Sequence, residues 1–327
     1  MSFPSDDELM AGPNALDDGL IDAGDWPADY RAGFACLVGR PNAGKSTLTN
    51  ALVGQKVAIT SGRPQTTRHT VRGVVHREDG QLVLVDTPGL HRPRTLLGQR
   101  LNDLVRETLA EVDVIVFCLP ADEKVGPGDK FIARELTQQR TPVVAVATKA
   151  DKVSRERLAE HLLAVSALGE WAEIVPVSAV KDDQIGLLTD LLLARMPFGP
   201  PMYPRGELTD EPENVMIAEL VREAALEGVH HELPHSLAVL VDEVTERPRE
   251  EGDQRPPMLD VRVDLYVERD SQKAIIIGKG GARLRDVGTR ARHGIEALLG
   301  ARVYLDLHVR VAKDWQRDPK LLGRLGF

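Results

Sequence analysis

The stretch Gly39-Arg40-Pro41-Asn42-Ala43-Gly44-Lys45-Ser46-Thr47 follows the pattern G-x-x-x-x-G-K-[ST], and no other feature of the chain constrains its fold as tightly. The pattern has mechanical meaning only between a buried strand and a helix. Both are predicted here: Phe34-Ala35-Cys36-Leu37-Val38 is a short apolar run ahead of it, and Leu48, Leu52 and Val53 mark an amphipathic helix behind it. Glycines in such a loop let main-chain N–H groups converge on phosphate at a helix N-terminus. A lysine then reaches the terminal phosphates, and a hydroxyl is placed for magnesium. Lys45 and Ser46 hold those two positions.

Past this loop, apolar runs at 82–85, 112–119 and 143–147 alternate with helical patterns as far as Met196. That alternation predicts a parallel-rich sheet covered on both faces, an α/β domain over residues 30–200. Pro197, Pro200, Pro201, Pro204 and Pro212 interrupt any helix, so 201–213, reaching back to Pro197, reads as a linker. Beyond it, Ile217, Val221 and Ala225 share a helical face, and strands are predicted at 236–244, 259–267 and 302–311 with two helices between the last two. This is a second, α+β domain over 214–320 with the order helix, strand, strand, helix, helix, strand, followed by a tail over 321–327. A length of 327 residues suits two cores of this size.

Charge is unevenly spread. The net charge of −9 owes much to residues 1–29, where Asp6, Asp7, Glu8, Asp17, Asp18, Asp22, Asp25 and Asp29 meet no lysine or arginine, and this stretch reads as a disordered acidic tail. The C-terminal region is basic, with Lys273, Lys279, Arg283, Arg285, Arg290 and Arg292. No run approaches the roughly 18 apolar residues of a membrane helix, and the acidic N-terminus does not read as a secretory signal, so a cytoplasmic protein is expected. Cys36 and Cys118, each inside an apolar run, read as buried structural thiols.

Four further stretches follow the phosphate loop in the order of a guanine-nucleotide switch. Asp86-Thr87-Pro88-Gly89 leaves a strand, so Asp86 can hold magnesium and the Gly89 amide can meet a γ-phosphate. Thr148-Lys149-Ala150-Asp151 resembles the base-reading motif N-K-x-D with threonine in place of asparagine; the Asp151 carboxylate accepts from groups that guanine offers and adenine lacks. Val177-Ser178-Ala179 is placed to complete the base pocket through its backbone. Gln65-Thr66-Thr67-Arg68-His69 sits in a polar stretch suited to a switch loop, with Thr67 preferred over Thr66 as the hydroxyl that closes on magnesium. Leu90 stands where many such switches carry a glutamine that orients the attacking water, and leucine cannot do that.

In the second domain, Ile277-Gly278-Lys279-Gly280-Gly281-Ala282-Arg283 places a G-x-x-G loop between two helices. Missing side chains at such glycines let a nucleic-acid backbone approach the peptide groups, while Lys279, Arg283 and Arg285 supply charge. This is the signature of a KH domain, and two strands ahead of the loop make it the type II arrangement, a binder of about four unpaired nucleotides. His230 and His231 lack metal-ligand spacing and read as surface histidines, and Trp315 reads as an anchor for the last strand.

These motifs, in this order and with Pro234-His235-Ser236 between them, resemble the Era-like family of bacterial GTPases over roughly residues 31–318. The resemblance implies GTP/GDP and Mg2+ as ligands, GTP hydrolysis, and binding to single-stranded RNA near the 3′ end of 16S rRNA during maturation of the small (30S) ribosomal subunit. It also implies a monomer, peripheral association with the inner face of the cell membrane, and Asn42 as ligand of a potassium ion that substitutes for an arginine finger. A GTPase of transfer-RNA modification shares Asn42 and Leu90, and a constitutive RNA-binding assembly factor with a structural nucleotide site is a further alternative.

Overall fold

A computed structural model describes residues 26–60, 70–90, 95–227, 236–247 and 257–325. The acidic tail as far as residue 25, the segment 65–69, the histidines at 230 and 231 and Pro234-His235 lie outside them. The first domain runs β1 (Arg31–Gly39), α1 (Lys45–Val53), β2 (Val71–His76), β3 (Gly80–Asp86), α2 (Leu96–Glu111), β4 (Val114–Pro120), α3 (Pro127–Leu136), β5 (Val143–Thr148), α4 (Arg155–Ser166), β6 (Glu173–Pro176) and α5 (Ile185–Leu193). Its sheet has the order β2-β3-β1-β4-β5-β6. All neighbours are parallel except β2, which runs antiparallel to β3 at the edge.

Strands β3, β4 and β5 are buried at every residue, the pattern of a sheet covered on both faces. Successive residues of β1 show the two layers: Ala35 and Leu37 pack with Leu48, Leu52, Leu188 and Leu192 of α1 and α5, whereas Cys36 and Val38 pack with Val105, Leu109, Ile132 and Val165 on the opposite side. Both thiols are fully buried and raised by desolvation, that of Cys118 to about 12. The third predicted strand starts later than its apolar run suggests, because Val112 ends α2.

The second domain runs α6 (Glu213–Leu226), β7 (Ala238–Glu246), β8 (Met258–Val267), α7 (Asp270–Ile277), α8 (Ala282–Leu299) and β9 (Arg302–Val311). β8 is central, antiparallel to β7 and parallel to β9. Ile217, Val221, Ile276, Val287 and Ile295 from the helices close over Val261, Val263 and Val309 of the sheet.

Two further parts of the chain carry contacts that their sequence does not announce. The proline-rich linker is bound along the β2 edge: Val74 N donates to Leu208 O at 2.9 Å, and Arg72 pairs with Asp210 at 2.8 Å. Gln81, buried in β3, accepts from Met202 N and Tyr203 N and donates to Tyr203 O, so each side-chain polar atom is used on the linker. The predicted tail enters a helix, α9 (Pro319–Arg324), capped by Asp318. Its Leu322, together with Leu325 and the fully buried Trp315, packs with Leu97 and Leu101 of α2 and Tyr266 of β8, because α2 would otherwise expose those leucines. Trp315 donates from Nε1 to Ser236 O at 2.9 Å, the anchoring role expected of it.

Candidate nucleotide site and nucleic-acid interface

Helix α1 starts directly at Lys45, has no acidic residue in its first turn, and is preceded by Gly44 at φ 88°, so its N-terminal field and N–H groups are left to an anion. Asn42, at φ 63°, takes the left-handed conformation that asparagine tolerates better than most residues. The Lys45 ammonium is buried and donates to Gly39 O and Arg40 O at 3.3 and 3.2 Å. Burial pushes it below its ordinary pKa, an effect Asp86 opposes. A phosphate in the loop would supply the missing negative charge.

Across the loop, Ser46 Oγ donates to Asp86 Oδ2 at 2.6 Å. Two hard oxygen donors at the foot of a phosphate cradle fit magnesium, which is held through few protein ligands plus phosphate oxygens. Thr87 ties this turn to β1 by donating to Leu37 O at 2.7 Å. Gly89 lies so close to the phosphate loop that a Cβ there would come within 2.6 Å of Pro41 N. Leu90 turns into the core and its N–H donates to Gly39 O, so its side chain is spent on packing.

The base-reading loops meet on the other side. Thr148 Oγ1 donates to Ala43 O at 2.6 Å, so the threonine ties this loop to the phosphate loop despite replacing asparagine. Asp151 accepts from Ser178 Oγ at 2.6 Å, and Lys149, at φ 58°, pairs with Asp122 at 3.3 Å. Main-chain bonds from Ala150 N to Val177 O and from Val177 N to Ala147 O join the loops before Ala179. Thr148→Ala is expected to weaken guanine-nucleotide affinity about fivefold, the effect of one hydrogen bond of about 1 kcal/mol, measured by titration of a fluorescent GDP.

Sequence reasoning missed the support of this site. Arg40 reaches over to Asp129 at 2.6 Å and Glu123 at 3.2 Å, which fastens the phosphate loop to the start of α3. Asp129 also accepts from Gly126 N and is almost fully buried. Nothing local marks Asp129 as more than a helix-capping carboxylate. Thr66 and Thr67, with Gln65, Arg68 and His69, are among the residues not described.

In the second domain Gly278, Gly280 and Gly281 all have positive φ. A Cβ on Gly278 would meet Arg283 Cβ at 2.7 Å, whereas Gly280 and Gly281 face open space, so a nucleic-acid backbone can lie against them. Lys279 is exposed beside them and Ile277 is half-buried under the loop. A groove of about 420 Å³ continues from Gly281 between α8 and the edge strand β9, lined by Leu284, Arg285, Gly288, Arg292, Arg302 and Tyr304. Arg302 and Tyr304 were not foreseen as lining this groove; their alternation in β9 was the available signal.

Arg283, expected to contact RNA, donates from Nη2 to Ala225 O at 3.2 Å and Glu227 O at 2.7 Å. The end of α6 leaves carbonyls without helical partners, and this guanidinium meets that need.

Residues 34–149 match the family described as 50S ribosome-binding GTPase, and residues 232–316 match the KH domain family. The chain is 67% identical to GTPase Era of Streptomyces coelicolor over 304 residues, 91% of this chain and 95% of that protein. It is 65% identical to GTPase Era of Mycolicibacterium smegmatis over 302 residues, 91% and 99% of the two chains. The chain belongs to the Era family of GTPases. Era in complex with MgGDPNP and nucleotides 1506–1542 of 16S ribosomal RNA superposes with a TM-score of 0.85 at 37% identity, covering 91% of this chain and 99% of that one. A variant of Aquifex aeolicus Era bound to GDP.AlF4− gives 0.84 at 37% identity, covering 90% and 99%. The Era family's two-domain plan thus extends through the described residues, and no helix among them is long and apolar enough to cross a membrane.

Proposed function

We propose that the chain is a GTP-hydrolysing switch that binds the 3′ region of 16S rRNA through its KH groove and assists maturation of the small ribosomal subunit. The observation that carries this reading is the presence, in one Era-family chain, of a complete phosphate cradle and an open G-x-x-G loop beside a basic groove. In this reading Gly39 to Thr47 wrap the phosphates, Lys45 neutralises the β- and γ-phosphates, and Ser46, Asp86 and Thr67 serve magnesium. Magnesium, when bound, supplies positive charge to the transferring phosphoryl group. Gly89 offers its N–H to the γ-phosphate, and Asp151 reads guanine with Ser178 holding its carboxylate in place. Asn42 is assigned to potassium; equal turnover in sodium and potassium buffers would remove that role. Ile277 to Gly281 and Arg285 hold the RNA backbone. The KH domain argues against a GTPase of transfer-RNA modification.

The action is cytoplasmic with peripheral membrane association, a reading carried by the family and checked by flotation with vesicles. The central test measures affinity for an RNA copying the 16S 3′ end, with protein holding a non-hydrolysable GTP analogue or GDP. Binding lost in Gly280→Asp, with GTP turnover by the same preparation, is the expected result. Binding that survives Gly280→Asp removes the groove assignment, and absence of turnover leaves the site structural.

A further inference from the structure

The contacts around the last turn of α6 join the RNA loop to the nucleotide site. Glu223, three-quarters of the way along this KH-domain helix, reaches into the first domain. Its Oε1 accepts from Thr60 N at 2.9 Å and from Thr60 Oγ1 at 3.4 Å, and its Oε2 pairs with Lys56. Its side chain is only 15% exposed. The segment it holds is pinned at its other side by Asn50 of α1, which accepts from Val57 N and Ala58 N and donates to Ala58 O. Asn50 lies on the short helix that begins with Lys45 and Ser46. One turn beyond Glu223, the carbonyls of Ala225 and Glu227 hold Arg283, whose Cβ lies against Gly278 of the RNA loop. Arg290 of α8 also pairs with Glu227.

The apolar surroundings do not impose this register. Between the same elements lies a cavity of about 320 Å³ lined by Val57, Ile59, Val71, Leu220 and Leu298, so the facing surfaces are not closely packed there. The carboxylate contacts tie α6 to the segment after α1 across this gap. We infer that Glu223 is the positioning residue through which RNA at the G-x-x-G loop and nucleotide at the phosphate loop sense one another. A shift of Gly278 and Arg283 on RNA binding moves the end of α6, and Glu223 transmits it to Thr60 and, through Asn50, to α1. Coupling is a free energy shared by both sites, so the effect is reciprocal.

This inference rests on the GTP-hydrolysing switch proposed above, and takes its RNA affinity to depend on the bound nucleotide. The experiment measures the ratio of RNA affinities in the GTP-analogue and GDP states, using the full chain and the 16S 3′-end RNA. The same ratio is obtained independently from nucleotide affinities with and without RNA. Coupling in such systems amounts to roughly 5- to 150-fold. Glu223→Ala is expected to bring both ratios to within about twofold of unity, while binding of GDP alone and of RNA alone persists. Lys56→Ala, which keeps the Thr60 contacts, is expected to retain most of the ratio. Glu223→Ala with an undiminished ratio overturns the inference and leaves the switch standing. A wild-type ratio of unity overturns the switch itself and the coupling with it. Melting curves of each variant separate loss of coupling from loss of fold.

Discussion

Lys45→Ala is expected to lower affinity for GTP and GDP by roughly two to three orders of magnitude, with little loss of stability in the nucleotide-free protein. The two halves of this expectation have one cause. The ammonium is buried and donates to the carbonyls of Gly39 and Arg40, so folding carries a desolvation penalty that Asp86 opposes. Removing the charge relieves that penalty. A bound nucleotide would lose its buried cationic partner, and truncating one side of such a pair costs about 2–5 kcal/mol. Calorimetry of GDP binding reads the first effect. Thermal unfolding reads both: the melting temperature without nucleotide should change little, and stabilisation at a fixed GDP concentration far above Kd, which grows with the logarithm of ligand over Kd, should fall by about 3–4 kcal/mol in the variant.

The same lysine predicts a pH dependence. Its folded pKa is depressed by burial, so the unfolded chain binds more protons there than the folded one, and stability must rise as pH increases. The window lies between the depressed folded value and the ordinary value of 10.5, above which both states are neutral. In Lys45→Ala that component of the slope is absent. Bound nucleotide raises the lysine's pKa, so GDP should flatten the slope in the unsubstituted protein.

What could be read from the chain and what could not divide by the range of the interactions involved. The phosphate loop, Asp86 to Gly89, Asp151 and the G-x-x-G loop declare themselves because each is contiguous and its residue types are required by local geometry. The alternation of apolar runs was sufficient for the parallel sheet, yet β2 escaped notice, since an edge strand half of whose neighbours are in the linker has no distinctive pattern of its own. Gln81, between Gly80 and Leu82, is buried where residues 202 and 203 come back to meet its amide, and nothing beside it in the sequence signals that. Arg283 is read toward RNA by its place beside the loop, and its bonds to the end of α6 had no signal in the sequence. Arg40 fell inside a recognised motif, but its partner Asp129 is 89 residues away. Long-range partnerships of this kind leave no trace in spacing or periodicity. Thr148 is the intermediate case: the sequence raised the question of what threonine does there, and its bond to Ala43 answers it.

Trp315→Ala is expected to destabilise the protein by about 3–5 kcal/mol, the range for truncating a large buried aromatic, and to do so at the junction between the domains. Trp315 is fully buried, but it belongs to neither main core. Its cluster contains Leu97 and Leu101, on the helix that follows the Asp86 turn, together with Ala238 and Tyr266 of the KH sheet and Leu322 and Leu325 of the last helix. The cavity left by alanine therefore loosens the contact between α2 and the KH domain while the cores around Leu37 and Val263 stay intact. Unfolding should lose cooperativity, with an early transition followed by melting of the nucleotide domain, and GDP should raise only the later one. Trp315→Phe separates packing from hydrogen bonding. It restores most of the volume but leaves Ser236 O without the indole N–H, for an expected loss of about 1–3 kcal/mol and a single transition. A Trp315→Ala variant that melts in one step at the original temperature would mean that the cluster contributes nothing to docking. In that case other contacts, those of Glu223 and the linker among them, would hold the two domains in register.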